Sequence, residues 1–201
     1  MVGRDRAARL AKATWTRAFS LIEVVLALAV IAFGIVSVLA LLPASLKTSR
    51  DSVSDTHSAV VGEHLVQMLS TAMEAASDAD GWAATALVLP AEKPDAAEPT
   101  TGWTLWQIQE GISYWRAGAA EEYVRVDLRR PGNDYSEFSG ICRVWRQPVT
   151  VSQFEDGTWT TRTLASTEAV GLNVEVSWPA QAPYARRQKA LYALNVFAKL
   201  L

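Results

Sequence analysis

The sequence predicts an α+β fold in which one long N-terminal α-helix is followed by a C-terminal antiparallel β-sheet. Three observations predict it. An uncharged apolar run extends from Val24 to Leu42, and a segment with apolar residues at helical spacing follows it. Loop-forming residues then end the helical pattern. From Gly102 onward, apolar and polar residues alternate as they do in antiparallel strands with one packed face.

The apolar run has the length of a membrane-spanning helix. Its 19 residues carry no charge, and only Gly34 and Ser37 interrupt the apolar series. Residues 19–43 are therefore predicted to form a transmembrane helix. A secretory signal peptide would have a shorter apolar core with a small-residue cleavage site behind it. An ordinary single-span anchor stays open as an alternative, and a soluble buried helix is disfavoured because the run is apolar on every side.

The charge of the chain is distributed unevenly. Residues 1–18 have a net charge of +4, and the remaining residues carry 14 basic and 20 acidic side chains. Basic residues beside a span stay in the cytoplasm, so the N-terminus is predicted to be cytoplasmic and the C-terminal domain periplasmic. The acidic remainder makes nucleic-acid binding a poor interpretation, because that function needs basic patches.

Glu23 stands at the beginning of the predicted span with apolar neighbours on both sides. An ionised carboxylate in that environment costs a few kcal/mol or more, so it marks a functional site whose partner has to be found. No basic residue lies on the next two helical turns. The partner cation is therefore expected to come from outside the chain.

The segment around Glu23 resembles the processing motif of the type IV pilin and type II secretion pseudopilin families. In that motif a basic leader and a small residue, usually Gly, precede Phe-[Ser/Thr]-Leu-x-Glu and a long apolar run. Here Ala18 is followed by Phe19, Ser20, Leu21, Ile22 and Glu23. Ala18 departs from the usual Gly but is still small.

The resemblance implies a pilin-like fold and a function in assembly. It implies that prepilin peptidase cuts off residues 1–18 after Ala18, that the new Phe19 amine is N-methylated, and that Glu23 pairs with the N-terminal amine of a neighbouring subunit. The chain would then be a pilin or pseudopilin that polymerises through its N-terminal helix into a type IV pilus-like or type II secretion-like filament. The inner membrane, the peptidase/methyltransferase and other pilin subunits are the implied partners.

Residues 44–77 are predicted to continue the helix in amphipathic form. Apolar residues recur there near a period of 3.6, and His57 and His64 lie two turns apart, about 10 Å, too far to share a metal ion. Residues 78–101 are predicted to be the loop between helix and sheet, because Asp, Gly and Pro punctuate them.

Residues 102–201 are predicted to form the sheet domain. The strand segments are 102–108, 112–115, 122–129, 141–151, 158–164, 172–179 and 190–198, with a turn at Glu155-Asp156-Gly157. In the alternating segment 172–179, the side chains of Val174, Val176 and Trp178 are expected to share one face and pack near Leu65 and Met68.

The sequence carries no motif typical of an enzyme. It has no Gly-rich phosphate loop, no metal-binding His or Cys pattern and no nucleophile motif, so we predict neither catalytic residues nor a metal or cofactor. The single cysteine, Cys142, is expected to be packed in a strand, and it excludes the disulfide-closed loop common in major pilins, which favours a minor subunit. A membrane-anchored periplasmic binding or sensing domain is the alternative function.

Overall fold

A computed structural model describes residues 20–75, 79–86, 88–109, 111–118, 122–129, 132 and 135–198. The chain divides into two compact units, Met1–Ser49 and Arg50–Leu201. The first unit contains the apolar part of the N-terminal helix. The second contains the rest of that helix, a β-sheet and a separate β-hairpin.

Helix α1 extends from Leu21 to Glu74. Ser20 precedes it, and the Ser20 side-chain oxygen accepts a hydrogen bond from the Glu23 backbone N–H at 3.3 Å, as an N-cap does. The helix continues through Pro43, whose ring nitrogen cannot donate a helical hydrogen bond. The long N-terminal helix predicted from the apolar and amphipathic patterns is confirmed.

A short helix, α2, occupies Ala79–Thr85 in the segment that was predicted to be a loop. Trp82 explains its position, since the indole is buried and its Nε1 donates to the Ser166 carbonyl at 2.9 Å. Asp78 to Gly81 suggested only a turn, because the attachment point of Trp82 lies more than 80 residues away along the chain.

Six strands form one antiparallel sheet in the order β1-β2-β3-β4-β7-β8, and β5 and β6 form a separate two-stranded hairpin. The strands are β1 Thr104–Gln109, β2 Ile112–Ala117, β3 Tyr123–Arg129, β4 Ser136–Gln147, β5 Thr150–Glu155, β6 Thr158–Thr163, β7 Ala169–Trp178 and β8 Gln188–Phe197. A 3₁₀ turn, Tyr184–Arg186, precedes β8.

One predicted strand is divided in the structure. The segment 141–151 contributes to both β4 and β5, and the break falls at Pro148 and Val149. Proline lacks the N–H that a ladder needs, so the chain leaves the sheet there and enters the hairpin. The predicted turn at the hairpin tip is confirmed: Asp156 and Gly157 both have positive φ, 51° and 81°, as a two-residue hairpin turn requires.

The core of the second unit lies between the later part of α1 and one face of the sheet, which we call the inner face. Four buried α1 residues, Val61, Leu65, Leu69 and Met73, pack in one cluster with the buried inner-face side chains of β2, β3, β4 and β7. Val174, Val176 and Trp178 belong to this cluster together with Leu65, and Met68 packs against it, so their predicted common face is confirmed.

Two residues show how tightly this core is packed. Cys142 is fully buried on the inner face of β4, which confirms the prediction of a packed strand cysteine. At Gly62 of α1, an added Cβ would collide with the Tyr192 ring of β8, so the helix can approach the sheet there only because this residue has no side chain.

Truncating Trp178 should destabilise the second unit. Its ring is buried beside the Phe138 ring, with 6.3 Å between centroids, and Trp178→Ala removes that packing and leaves a cavity. We expect a loss of about 3–5 kcal/mol in the free energy of unfolding, measured by pulse proteolysis of the detergent-solubilised chain in denaturant.

Trp159→Ala is the matched control, because Trp159 is 73% exposed on the β5–β6 hairpin. It should leave global stability nearly unchanged. Equal effects of the two substitutions would show that the inner-face assignment of Trp178 is wrong.

Candidate functional site

Glu23 lies in the first turn of α1 and is exposed. Ser20, three residues before it, caps the helix by accepting the Glu23 backbone N–H, and the Glu23 and Val24 N–H groups also reach the Ser20 carbonyl, at 3.0 and 3.2 Å. The Ser-x-x-Glu spacing is that of a capping box, which fixes where the helix begins. The first turn therefore holds the carboxylate at a defined place on the apolar helix.

The Glu23 carboxylate has no cation near it among the residues that the structure describes. The next charged residue along α1 is Lys47, which at the helical rise is about 36 Å away. Between them, the 23 residues from Val24 to Leu46 carry no charge and cover about 35 Å of helix, more than the hydrocarbon thickness of a bilayer. Glu23 is thus the lone charge of a stretch long enough to span a membrane.

The apolar stretch of α1 is exposed on every side. Every described residue from Ser20 to Ser49 is classed as exposed, and large side chains such as Leu21 and Phe33 are 84% and 75% exposed. A continuous apolar surface of this size does not remain in contact with water. The stretch therefore qualifies as a candidate single membrane span, whose surface lipid or other apolar helices would cover.

The uncharged polar groups in this stretch suit an apolar environment. The Ser37 hydroxyl donates to the Phe33 carbonyl at 2.8 Å, one turn earlier, so it needs no outside partner. Gly34 has open space around it, which would let another helix approach its backbone closely. Glu23 has no such internal partner for its charge among the described residues.

Two of the residues predicted to belong to the site, Ala18 and Phe19, lie outside the described residues, as does the basic leader. The structure therefore brings only Glu23 into view, at the start of an exposed apolar helix. This arrangement can carry one carboxylate into a medium of low dielectric constant, where it would bind a cation strongly.

A second group of charged residues meets on the opposite face of the sheet, which we call the outer face. Arg143 of β4 and Glu175 of β7 are cross-strand neighbours, and their side chains form a buried ion pair. Lys93 and Tyr184 also donate to the Glu175 carboxylate, Tyr184 at 3.0 Å. Burial alone would raise the pKa of Glu175, but the hydrogen bonds from Lys93, Arg143 and Tyr184 outweigh it and hold that pKa below its ordinary value.

These outer-face charges fasten the connection between helix and sheet. Arg143 donates to the Pro94 carbonyl at 3.0 Å, and Arg187 donates to the Glu98 carboxylate through both of its terminal guanidinium nitrogens. Sequence alternation suggested a solvated outer face, yet Glu175 and Arg143 are buried beneath residues of this connection. The Pro-rich stretch 90–99 was the one sequence signal for an extended segment that could cover the sheet. The sequence does not show which face of the sheet this segment covers.

Two other side chains that could take part in chemistry, an imidazole and a thiol, are packed against neighbouring residues. The imidazole of His57 packs on Phe138, with 5.9 Å between ring centroids, and burial raises the pKa of the Cys142 thiol, which disfavours the reactive thiolate. Within the described ranges, no three His, Cys, Asp or Glu side chains converge to hold a metal ion.

Comparisons with protein-family models, curated proteins and solved structures find no match to this chain.

Replacing Glu175 should weaken the outer-face network. Glu175→Gln keeps the shape but leaves buried Arg143 without a charged partner, so we expect a loss on the order of 3 kcal/mol at pH 7. Because the folded state depresses the carboxyl pKa, the charged pair stabilises the fold above the ordinary value near 4.3. That contribution disappears as the pH falls through the lower, folded value, so the difference between wild type and variant should shrink on acidification.

The measurement is a set of denaturant midpoints between about pH 7 and pH 3, a window that includes the ordinary carboxyl pKa. Glu168→Gln serves as the control, since the Arg162–Glu168 pair lies on the surface and should contribute little. A constant difference between Glu175→Gln and wild type at every pH would contradict the proposed charge dependence.

Proposed function

We propose that the chain is a minor pilin or pseudopilin subunit that polymerises through its N-terminal helix into a type IV pilus-like or type II secretion-like filament. The observation that carries the proposal is the lone Glu23 carboxylate, which has no cation beside it among the described residues and stands near the start of a helical stretch, Leu21 to Leu46, that is exposed and otherwise uncharged. The Ala18-Phe19 junction and the basic leader before it supply the rest of the motif.

Electrostatics gives the proposal a mechanism. A subunit in the membrane has a carboxylate at Glu23, and a processed neighbour has an ammonium at Phe19. Each charge alone is costly in low dielectric, and bringing the two together relieves both costs. The contact also fixes the axial position of one helix against the next, because each helix offers only one such carboxylate between Leu21 and Leu46.

The environment of the chain follows from the same proposal. The basic leader stays in the cytoplasm, the apolar part of α1 crosses the inner membrane once, and the sheet domain lies in the periplasm. Prepilin peptidase removes residues 1–18 and methylates Phe19. Filament subunits then surround the apolar surface of α1 in place of lipid.

Processing provides the most direct test. Mass analysis of the N-terminus of membrane-extracted protein should find a chain that begins at Phe19 and carries one added methyl group. In Ala18→Trp the peptidase site would hold a bulky residue, and the precursor should persist with residues 1–18 attached. Ala18→Gly, which restores the usual residue, should be processed at least as well as wild type. Normal maturation of Ala18→Trp would contradict the prepilin assignment.

Glu23→Val should separate maturation from assembly. The substitution removes the charge and keeps the helix apolar, so membrane insertion and cleavage after Ala18 should persist. Assembly should fail, because a neighbour's amine loses its partner. We expect mature protein in the membrane whose chemical cross-linking to other subunits is strongly reduced.

Ser37→Val is the matched control for Glu23→Val. It also replaces a polar residue of α1 by an apolar one, but the Ser37 hydroxyl is already bonded within the helix, so cross-linking should remain. The opposite pattern, in which Glu23→Val loses membrane insertion while an uncleaved chain functions normally, would favour a membrane-anchored binding or sensing domain.

A further inference from the structure

The six-stranded sheet ends in two edge strands, β1 and β8, that run in opposite directions. Neighbouring strands are antiparallel throughout the order β1-β2-β3-β4-β7-β8, so the first and sixth strands, β1 and β8, point opposite ways. A second copy placed beside the first in the same orientation would set its β1 antiparallel to the first copy's β8. Because the number of alternating strands is even, a second copy can extend the antiparallel ladder by translation alone, with the same face and the same strand direction as the first copy.

Both edges expose large apolar side chains on the same face. On the outer face, Leu105 and Ile108 of β1 are 49% and 64% exposed, and Leu191 and Phe197 of β8 are 60% and 55% exposed. β1 has no charged residue, and β8 has only Lys189 near its beginning. Native proteins usually protect long edge strands with charges or proline. The two strands contain little such protection: Lys189 lies near the beginning of β8, and β1 has a bulge between Leu105 and Gln107.

A groove next to β8 could receive side chains of an added strand on the inner face. It has a volume of about 480 Å³ and lies between β8 residues 191–194 and the α1 residues Glu63, Val66, Gln67 and Ser70. The inner-face residues of β1 after its bulge are Gln107 and Gln109, whose amides match the polar side chains of this helix flank. Strand addition draws affinity from main-chain hydrogen bonds and specificity from pockets for alternate side chains.

Two antiparallel arrangements of a second copy would pair the main-chain groups at the β8 edge, and they differ in the direction of α1. Antiparallel pairing of β8 with β8 requires a two-fold axis normal to the sheet, which reverses the part of α1 that packs on the sheet. The two chains would then enter their sheets from opposite directions. Pairing of β8 with β1 keeps the direction. The choice of β8–β1 pairing over β8–β8 pairing rests on the proposed function, because subunits anchored in one membrane must all have α1 in the same direction.

We propose that the β8 edge of one copy pairs with the β1 edge of the next, so that the sheets of neighbouring subunits form one continuous antiparallel ladder. The apolar outer-face residues fix the register, with Ile108 opposite Leu191. Because of the bulge, Leu105 then lies opposite Ala193. Each copy binds one neighbour through its β8 edge and another neighbour through its β1 edge. The interface is therefore heterologous and forms open-ended arrays.

Cysteine pairing in the full-length chain tests this interface. Two differently tagged chains, one with Ile108→Cys and the other with Leu191→Cys, are co-expressed and oxidised in the membrane. Directly opposed residues of antiparallel strands have Cα atoms about 4.5–5.5 Å apart, which suits a disulfide. We expect a disulfide-linked dimer that carries both tags, and a ladder of multimers from the double variant. Adding Ala193→Lys to the double variant should abolish most of the ladder, because it puts a charge at the centre of the interface.

Phe154→Cys with Leu191→Cys is the matched control. Phe154 is 59% exposed but lies on the β5–β6 hairpin, which is not part of the six-stranded sheet, and should give only the background level. The wild type, whose Cys142 is buried, sets the zero. Protease resistance like that of wild type verifies that each variant is folded, and Leu105→Cys with Ala193→Cys repeats the test at a second position.

Three outcomes would overturn the proposal: linkage no stronger than the Phe154→Cys control at both positions, self-linkage of Leu191→Cys alone at the same level, or a ladder that Ala193→Lys does not reduce. The second outcome would indicate symmetric β8 pairing. N-terminal masses from the same samples separate the two proposals. A chain that begins at methylated Phe19 without the disulfide contradicts only the strand pairing, and an intact leader with the disulfide contradicts only the prepilin assignment.

Discussion

One helix has to suit two surroundings, those of a candidate membrane span along its first part and of a protein core along its later part, and the composition of α1 follows from that constraint. Before Lys47 every described residue is exposed and only Glu23 is charged, so no face is reserved for water. After Arg50 a narrow set of residues, with Leu65 and Met73 at its centre, is buried while the opposite side is polar. Gly62 belongs to that set, because the Tyr192 ring occupies the place of its side chain. The same helix thus changes from uniformly apolar to amphipathic where its surroundings change.

Within that constraint, Glu23 is the residue whose presence the fold itself does not require. Its backbone takes part in the Ser20 cap, but that hydrogen bond is made by an N–H that every residue except proline has. A neutral residue would start the helix equally well and would be less costly inside a membrane. The outer-face pair of Arg143 and Glu175 is the instructive contrast. There the carboxylate is buried, three groups donate to it, and its role in closing a loop over the sheet explains its charge.

The sequence predicted those parts of the fold in which neighbouring residues carry the signal. The long helix, the strand pattern and the inner face with Val174, Val176 and Trp178 depend on periodicity, which is local, and all three are confirmed. Two of the misses depend on distant contacts. Helix α2 exists because Trp82 reaches Ser166, and Arg143 and Glu175 of the outer face are buried because a Pro-rich segment crosses that part of the sheet. The break at Pro148, which divides a predicted strand, depends on a local signal and could have been predicted from the sequence, since proline seldom continues a ladder. In the candidate site, Glu23 was identified from its charge within the apolar run. The role predicted for it, pairing with a neighbouring subunit's amine, rests on the motif around it.

In the proposed assembly, the Glu23 contact and the strand edges would specify different degrees of freedom. A single charge pair in low dielectric fixes the axial offset between two helices but scarcely their rotation, because it is one point of contact. A strand ladder fixes rotation and direction, but register along the ladder is set only by side-chain pattern and can slip by two residues without moving any side chain to the other face. A two-residue slip moves a strand by about 7 Å. The Glu23 contact and the strand ladder, which belong to different units of the chain, would therefore constrain different coordinates of the assembly.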